Sequence, residues 1–210
     1  MRLPMKLYLS SYRLGEKPEV LTNLLSGFKQ HVGIILNAGD LASSEVRSER
    51  LKRVTERFEQ LGLSSEEIDL RSYFGEIKIS KKDIEKFGLI WVQGGNVFVL
   101  RRAYKQSGFD MCLDAMLQSN IIVYGGESAG AVILGKTLEG LELVDDSRIV
   151  PEGYHHNCIR YGLGLIDYTI IPHYKSDNPE SSNMDILEEF LRNKKLPYRT
   201  LRDGEVIIYS

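Results

Sequence analysis

Five short apolar runs constrain the fold of this chain more than any other feature of its sequence. They span residues 6–9, 32–36, 89–92, 121–124 and 168–171 and are rich in β-branched and aromatic side chains. Each run is continuous rather than alternating, as a strand is when helices cover both faces of its sheet. The runs therefore predict a mostly parallel, buried sheet.

Longer segments with helical periodicity separate these runs. Between about residues 43 and 61, apolar residues recur at three- and four-residue spacing amid charged ones: Leu51, Val54, Phe58 and Leu61. This spacing predicts an amphipathic helix that covers one face of the sheet. Ser80 and Ser182 each stand three residues before an Asp, which is typical of a helix N-cap, so helices are expected to begin after both.

Two further strands are predicted near the C-terminus, around residues 198–201 and 206–209. Asp203-Gly204 lies between them, and Asp-Gly between apolar runs is typical of a β-hairpin. Alternation of strands and helices along the chain predicts an α/β fold, a three-layer sandwich with a mostly parallel central sheet. Because no linker, repeat or low-complexity tract interrupts this pattern, residues 1–210 are expected to form a single α/β domain.

The charge balance and the cysteine content exclude several classes of protein. The chain has 27 Lys and Arg against 29 Asp and Glu, interspersed, whereas proteins that bind nucleic acid by neutralising phosphates carry a basic excess. Cys112 and Cys158 are too few for a disulfide framework. No signal-like apolar segment and no run of about eighteen apolar residues is present. We therefore expect a cytoplasmic protein without nucleic-acid or membrane partners.

The loop after the run at 121–124 contains Gly126-Glu127-Ser128-Ala129-Gly130, a G-x-S-x-G motif between a predicted strand and a predicted helix. In a nucleophile elbow, this motif holds the serine in a strained turn, and small neighbours let the chain segments pass. The serine hydroxyl then lies at a helix N-terminus, where backbone amides stabilise developing negative charge. Ser128 is therefore a candidate nucleophile. The alternative is a Gly-rich turn in which Ser128 only caps a helix.

A second unusual loop, Gln93-Gly94-Gly95-Asn96, follows the run at 89–92. Paired glycines let the backbone approach a neighbouring loop and direct amides at an anion, which suits a second donor of an oxyanion hole. The loop lacks G-x-G-x-x-G and is therefore not a dinucleotide-binding fingerprint. Alternatively, it is a tight turn in which Asn96 begins a helix.

An activated serine needs a base, and His173 alone among the four histidines directly follows a predicted buried strand. A hydrogen-bonded structural histidine is the alternative. His155, His156 and Cys158 lie close together but lack a fourth ligand, so no metal site is expected. The base also needs an orienting carboxylate, and spacing alone leaves five candidates open: Asp145, Asp146, Asp167, Asp177 and Asp203.

Together these motifs resemble peptidase E, the aspartyl dipeptidase group that also includes cyanophycinases. The resemblance rests on four segments in order, Gly94-Gly95-Asn96, residues 126–131, Gly162-Leu163-Gly164-Leu165 and Pro172-His173-Tyr174. It implies a fold akin to class I glutamine amidotransferases, with serine in place of their cysteine nucleophile. It also implies serine-type hydrolysis of small peptides, dipeptides with an N-terminal Asp above all, without a metal or an organic cofactor.

Carried over by position, the resemblance makes Ser128 the nucleophile and His173 the base. It makes the amides of Ala129 and of Gly94-Gly95 the oxyanion hole. The acidic member of the family lies in a Leu-x-acid-Gly segment, which here contains Asp203 where the family pattern has Glu.

The resemblance also implies that an arginine at the start of the helix after the histidine loop binds the substrate carboxylate. Residues 179–185 contain no arginine. Asn96 and Lys175 are therefore the predicted substrate-binding residues, with Lys175 as a point charge in place of the arginine.

Two other functions stay open from the sequence. An α/β-hydrolase esterase orders its triad Ser, acid, His, which here means Ser128, Asp145 or Asp146, and His173. A non-catalytic binding protein that keeps the elbow for structural reasons is the other. The oligomeric state is not indicated.

Overall fold

A six-stranded sheet forms the centre of the structure, a computed structural model that describes residues 5–210. The strands of the molecule are β1 (Leu7–Ser10), β2 (His31–Ile35), β3 (Ser64–Glu67), β4 (Leu89–Val92), β5 (Val123–Glu127), β6 (Thr169–Ile171), β7 (Tyr198–Thr200) and β8 (Val206–Tyr209). The central sheet has the order β3-β2-β4-β5-β1-β8, and only β8 is antiparallel to its neighbour. This confirms the predicted mostly parallel sheet for four of the five apolar runs. The run at 168–171 forms β6, which lies in a separate two-stranded sheet.

Seven α-helices flank the sheet among the described residues: α1 (Glu19–Leu24), α2 (Ser44–Gln60), α3 (Lys81–Ile84), α4 (Val97–Ser107), α5 (Phe109–Gln118), α6 (Ala129–Val132) and α7 (Ser181–Asn193). Ser80 caps α3, as predicted, and Ser43 caps α2. The prediction that a helix begins after Ser182 is wrong, because α7 already begins at Ser181. Within residues 5–210, none of these helices is both long and apolar enough to cross a bilayer.

The apolar strands are buried because helices cover both faces of the sheet. Every residue of β1, β4 and β5 is buried. On the face covered by α1 and α2, the Trp91 ring lies 6.3 Å from the ring of Tyr8 and 5.6 Å from that of Phe58. A larger apolar layer lies under α4, α5, α6 and α7. Since burying one such side chain contributes about 1.5–3 kcal/mol, these layers explain why the runs are continuous.

The predicted C-terminal hairpin is wrong. Strand β7 pairs in parallel with β6 in a separate two-stranded sheet, whereas β8 pairs antiparallel with β1 at the edge of the central sheet. Asp203-Gly204 does form a turn, with Gly204 at a φ of 97°. The turn redirects the chain from one sheet to the other. Local turn chemistry cannot identify which sheet edge each flanking strand will cover.

Candidate active site

The register of the central sheet brings two of the predicted loops together. Val92 at the end of β4 pairs with Gly126 in β5, and the strands are parallel, so their following loops leave the sheet side by side. Gly94 therefore lies against Ser128. A Cβ atom at residue 94 would lie only 2.9 Å from the Cβ atom of Ser128, so a side chain there would displace it.

Ser128 occupies a sharp turn between β5 and α6, as the motif predicts. Its φ of 49° and ψ of −117° are strained for a residue with a side chain. The flanking glycines are required sterically. A Cβ atom on Gly126 would lie 2.4 Å from the carbonyl oxygen of Gly130, and one on Gly130 would lie 2.3 Å from that of Val92. The turn therefore presents the Ser128 hydroxyl beyond the carboxyl end of the sheet.

The small second sheet brings His173 and Asp203 to this position. Strands β6 and β7 are parallel, so the loops that follow them emerge at the same edge. His173 Nε2 lies 3.2 Å from Ser128 Oγ, and His173 Nδ1 lies 2.7 Å from Asp203 Oδ1. The imidazole is only 4% exposed. The three side chains thus form one continuous chain of hydrogen bonds.

Polar neighbours stabilise Asp203 as a carboxylate. Ser11 Oγ donates to Oδ1 at 2.8 Å, and Asn178 Nδ2 donates to Oδ2 at 3.1 Å. Burial raises the pKa of Asp203, but the hydrogen bonds from Ser11, Asn178 and His173 outweigh it, so the pKa is lower than that of an ordinary aspartate. The ionised carboxylate accepts a hydrogen bond from the Nδ1–H group of His173, which leaves Nε2 as an acceptor that faces Ser128 Oγ.

Ser11 also fixes the histidine loop. Its Oγ accepts a hydrogen bond of 2.7 Å from the backbone amide of His173. Ser11 directly follows β1, whose last residue, Ser10, pairs with Glu127 next to the elbow. One side chain thereby ties the histidine, the carboxylate and the central sheet together. Ser11 and Asn178 could not be predicted from the sequence, because neither belongs to a recognisable motif.

Two backbone amides beside Ser128 find no acceptor within the described part of the chain. The amide of Ser128 itself donates to the carbonyl of Ser10 at 3.1 Å, but those of Gly95 and Ala129 donate no hydrogen bond to any group in residues 5–210. Both residues line the space next to the Ser128 side chain. Gly94 differs, since its amide lies close enough to the Glu127 carboxylate to stabilise its charge.

The two predicted substrate-binding residues, Asn96 and Lys175, lie outside both cavities next to Ser128. Asn96 caps α4: its Oδ1 accepts hydrogen bonds of 2.9 and 3.0 Å from the amides of Phe98 and Val99. Lys175 is exposed, with its Nζ 4.9 Å from the centre of the Tyr174 ring.

The other carboxylates named from the sequence have different surroundings. Asp145 Oδ2 accepts a hydrogen bond of 2.7 Å from the amide of Val97, and burial raises the pKa of Asp145 to about 6. Asp146 pairs with Arg148, at 2.9 Å. Of the carboxylates in residues 5–210, Asp203 is the one that hydrogen-bonds the histidine.

Two cavities meet at Ser128. The first, here called the apolar pocket, has about 410 Å³ of empty space and is lined by Val97, Val132, Leu141 and Met184, with Asp145 and the amides of Gly95 and Ala129. The second, here called the arginine cleft, has about 850 Å³ of empty space and contains four arginines together with Ser128 and His173: Arg13, Arg50, Arg53 and Arg57. These arginines were not predicted from the sequence. Arg50, Arg53 and Arg57 recur at helical spacing, but charged residues on any solvent-exposed helix face have the same spacing.

Comparisons with known proteins identify the family of the chain and its fold. Residues 16–210 match the sequence profile of peptidase family S51. The fold is similar to the crystal structure of a proposed peptidase E protein from Listeria monocytogenes EGD-e, with a TM-score of 0.71, 24% sequence identity and coverage of 98% of both chains. It is also similar to the crystal structure of a peptidase from an acI-B1 actinobacterium, with a TM-score of 0.60, 18% identity and coverage of 87% of this chain and 75% of that chain. No curated protein matches the sequence. On the family match over nearly its whole length, the chain belongs to peptidase family S51 and is a serine-type peptidase.

Proposed function

We propose that this peptidase hydrolyses dipeptides or short peptides through an acyl-enzyme on Ser128, with His173 as the base and Asp203 as the orienting carboxylate. The observation that carries the proposal is the hydrogen-bond chain from Ser128 Oγ through His173 to Asp203, with distances of 3.2 and 2.7 Å. A serine, a histidine and a carboxylate in this order have the geometry of a catalytic triad.

The reaction begins when Ser128 Oγ attacks the scissile carbonyl carbon and its proton passes to His173 Nε2. The Asp203 carboxylate stabilises the imidazolium that forms. When the tetrahedral intermediate collapses, the C–N bond breaks and the imidazolium gives its proton to the leaving amine. Water then attacks the ester carbonyl and its proton passes to His173. When the second tetrahedral intermediate collapses, the bond between the carbonyl carbon and Ser128 Oγ breaks, the imidazolium returns the proton to Oγ, and the acid product leaves.

The amides of Gly95 and Ala129 are the proposed oxyanion hole. Both lie next to Ser128, and neither has another acceptor in residues 5–210. Their proposed acceptor is the oxygen of the tetrahedral intermediate, where loss of one donor typically costs about 100- to 1,000-fold in kcat. Gly94 supplies the close approach between the loops, because only a glycine fits against Ser128 there.

The resemblance to peptidase E extends the proposal to substrates with an N-terminal Asp. The cations near Ser128 are not where that resemblance places them, since they come from α2 and from the loop after β1. Preference at the first residue therefore needs a direct comparison of dipeptides that begin with Asp, Asn and Ala.

The catalytic proposal is tested by kcat/KM for the best peptide from such a panel, measured on the wild type, Ser128→Ala and Ser72→Ala. Ser72 is exposed and remote from both cavities, so its variant controls for loss of a serine hydroxyl. We expect Ser128→Ala to abolish measurable hydrolysis and Ser72→Ala to behave as the wild type. Hydrolysis by folded Ser128→Ala at the wild-type rate would exclude the mechanism.

A further inference from the structure

The arginine cleft concentrates positive charge beside the nucleophile. Arg50, Arg53 and Arg57 project from α2 at three- and four-residue spacing, which puts them on one face of the helix. Arg13 joins them from the loop after β1. All four line the same space as Ser128 and His173.

Most of these arginines do not stabilise the fold through ion pairs within residues 5–210. Arg53 pairs with Glu49, but Arg13, Arg50 and Arg57 form no ion pair with any group in residues 5–210. Arg47, on the same helix, shows the contrast, because carboxylates of other elements surround it.

The acidic residues that line the cleft do not cancel the arginines. They are Glu127 and Glu180, two carboxylates against four guanidinium groups. Glu127 is buried, and burial raises its pKa. Arg57 is half-buried: burial and the like charges of Arg13 and Arg53 lower its pKa, against the attraction of Glu127. Like charges held together in this way are stabilised by a bound anion.

The position of His173 assigns the cleft to one side of the scissile bond. The imidazolium must protonate the leaving amine, so the leaving part of a substrate lies on the histidine side of Ser128. His173 lines the arginine cleft but not the apolar pocket, Ala129 lines the apolar pocket but not the cleft, and Gly95 lines both. The acyl part therefore belongs to the apolar pocket and the leaving part to the arginine cleft.

We propose that the arginine cleft binds the leaving part of the substrate, and that preferred substrates carry more than one carboxylate on the C-terminal side of the scissile bond. This inference rests on the proposed function. A free C-terminal carboxylate satisfies one guanidinium group in a bidentate manner. The three arginines that have no ion-pair partner in residues 5–210 can bind at least one acidic side chain of the leaving part as well as its C-terminal carboxylate. The substrate class is thus a short peptide whose released fragment contains Asp or Glu.

The test compares two peptides with the same neutral residue before the scissile bond: one releases Asp-Asp and the other releases Asn-Asn. We expect the first to exceed the second in kcat/KM by about 10- to 100-fold, since a hydrogen bond to a charged group contributes roughly 1.5–3 kcal/mol. In Arg50→Gln/Arg57→Gln, this ratio should fall to about threefold or less. Arg160→Gln, which removes an exposed arginine outside the cleft, should keep it.

A binding measurement separates failure of this inference from failure of the proposed mechanism. Asp-Asp and Asn-Asn are titrated calorimetrically into Ser128→Ala, with and without the two arginine substitutions. Tighter binding of Asp-Asp that requires Arg50 and Arg57 supports the inference even if the wild type proves inactive. Equal binding of the two dipeptides, or a preference for Asp-Asp that persists without both arginines, overturns it. If a fluorophosphonate failed to label Ser128 in the wild type, this would contradict the proposed mechanism but not the inference about the arginine cleft.

Discussion

Replacement of Asp203 by Asn is the substitution whose effect the structure specifies best. The carboxylate accepts hydrogen bonds from His173, Ser11 and Asn178. An amide at this position keeps one acceptor oxygen, so the bonds from His173 and Ser11 to Oδ1 can persist. The hydrogen bond from Asn178 is lost, because its Nδ2 would face the new NH₂ group and its Oδ1 already accepts a hydrogen bond from the backbone amide of Glu180. The negative charge next to the imidazolium is lost as well, and its effect is the larger one.

The size of the effect follows from the distance. With Nδ1 and Oδ1 2.7 Å apart, the centres of the two charges lie about 4 Å apart. At an effective dielectric constant of about 20, their attraction is about 4 kcal/mol, which corresponds to roughly 1,000-fold in rate. Any distortion of the imidazole adds to this loss. We expect kcat/KM to fall by about 1,000- to 10,000-fold.

The assay is hydrolysis of the best peptide by Asp203→Asn, with Asp177→Asn as the matched control. Asp177 is an exposed carboxylate in the same loop as His173. Its variant should retain nearly full activity. A loss of less than tenfold in folded Asp203→Asn would contradict a charge interaction of this size. A loss in Asp145→Asn that exceeds the loss in Asp203→Asn would also contradict it, and would favour the triad order of an esterase.

Further predictions concern stability and the elbow. Asp145 has its pKa raised to about 6 by burial, so its contribution to stability is present at low pH and is lost as the pH rises through about 6. Asp145→Asn should therefore raise the free energy of unfolding by about 2–3 kcal/mol at pH 8 and change it little at pH 4, as measured by urea denaturation. Asp146 is exposed, so Asp146→Asn should show no such gain in the free energy of unfolding at pH 8. Gly126→Ala places a Cβ atom 2.4 Å from the carbonyl oxygen of Gly130. It should lower the free energy of unfolding by about 1–3 kcal/mol, which is seen as a lower melting temperature. Because it displaces Ser128 by a fraction of an ångström, it should also reduce kcat by up to about 100-fold. Wild-type stability and activity in Gly126→Ala would contradict the steric account of the elbow.

Features that depend on local chemistry could be predicted from the sequence. Ser43 and the apolar spacing that follows it define α2 almost to the residue. The elbow around Ser128 was predictable because its glycines are required by backbone contacts within a few residues or across neighbouring strands. The position of His173 after a buried strand was equally informative.

Features that depend on pairing between distant segments could not be predicted from the sequence. The hydrogen bond from His173 to Asp203 exists because β7 pairs with β6, whereas the local Asp-Gly signal favoured pairing of β7 with β8. Asp203 was chosen from five carboxylates only through a family resemblance. Strand β3 was missed because a short polar edge strand carries no apolar signal.

The arginine cleft shows the same limit. Nothing in the sequence distinguishes Arg50 and Arg57, which face Ser128, from Arg47, which carboxylates surround. Only the fold decides which arginines of one helix face the active site and which are neutralised.

The most direct test of the central claim is labelling of the folded wild-type protein with a fluorophosphonate, followed by peptide mapping. A serine activated by a neighbouring histidine reacts with this reagent, whereas an ordinary helix-capping serine does not. The account predicts one phosphonyl group per chain, on Ser128, and no labelling in His173→Ala. An unreactive Ser128, or labelling at another serine, would contradict it.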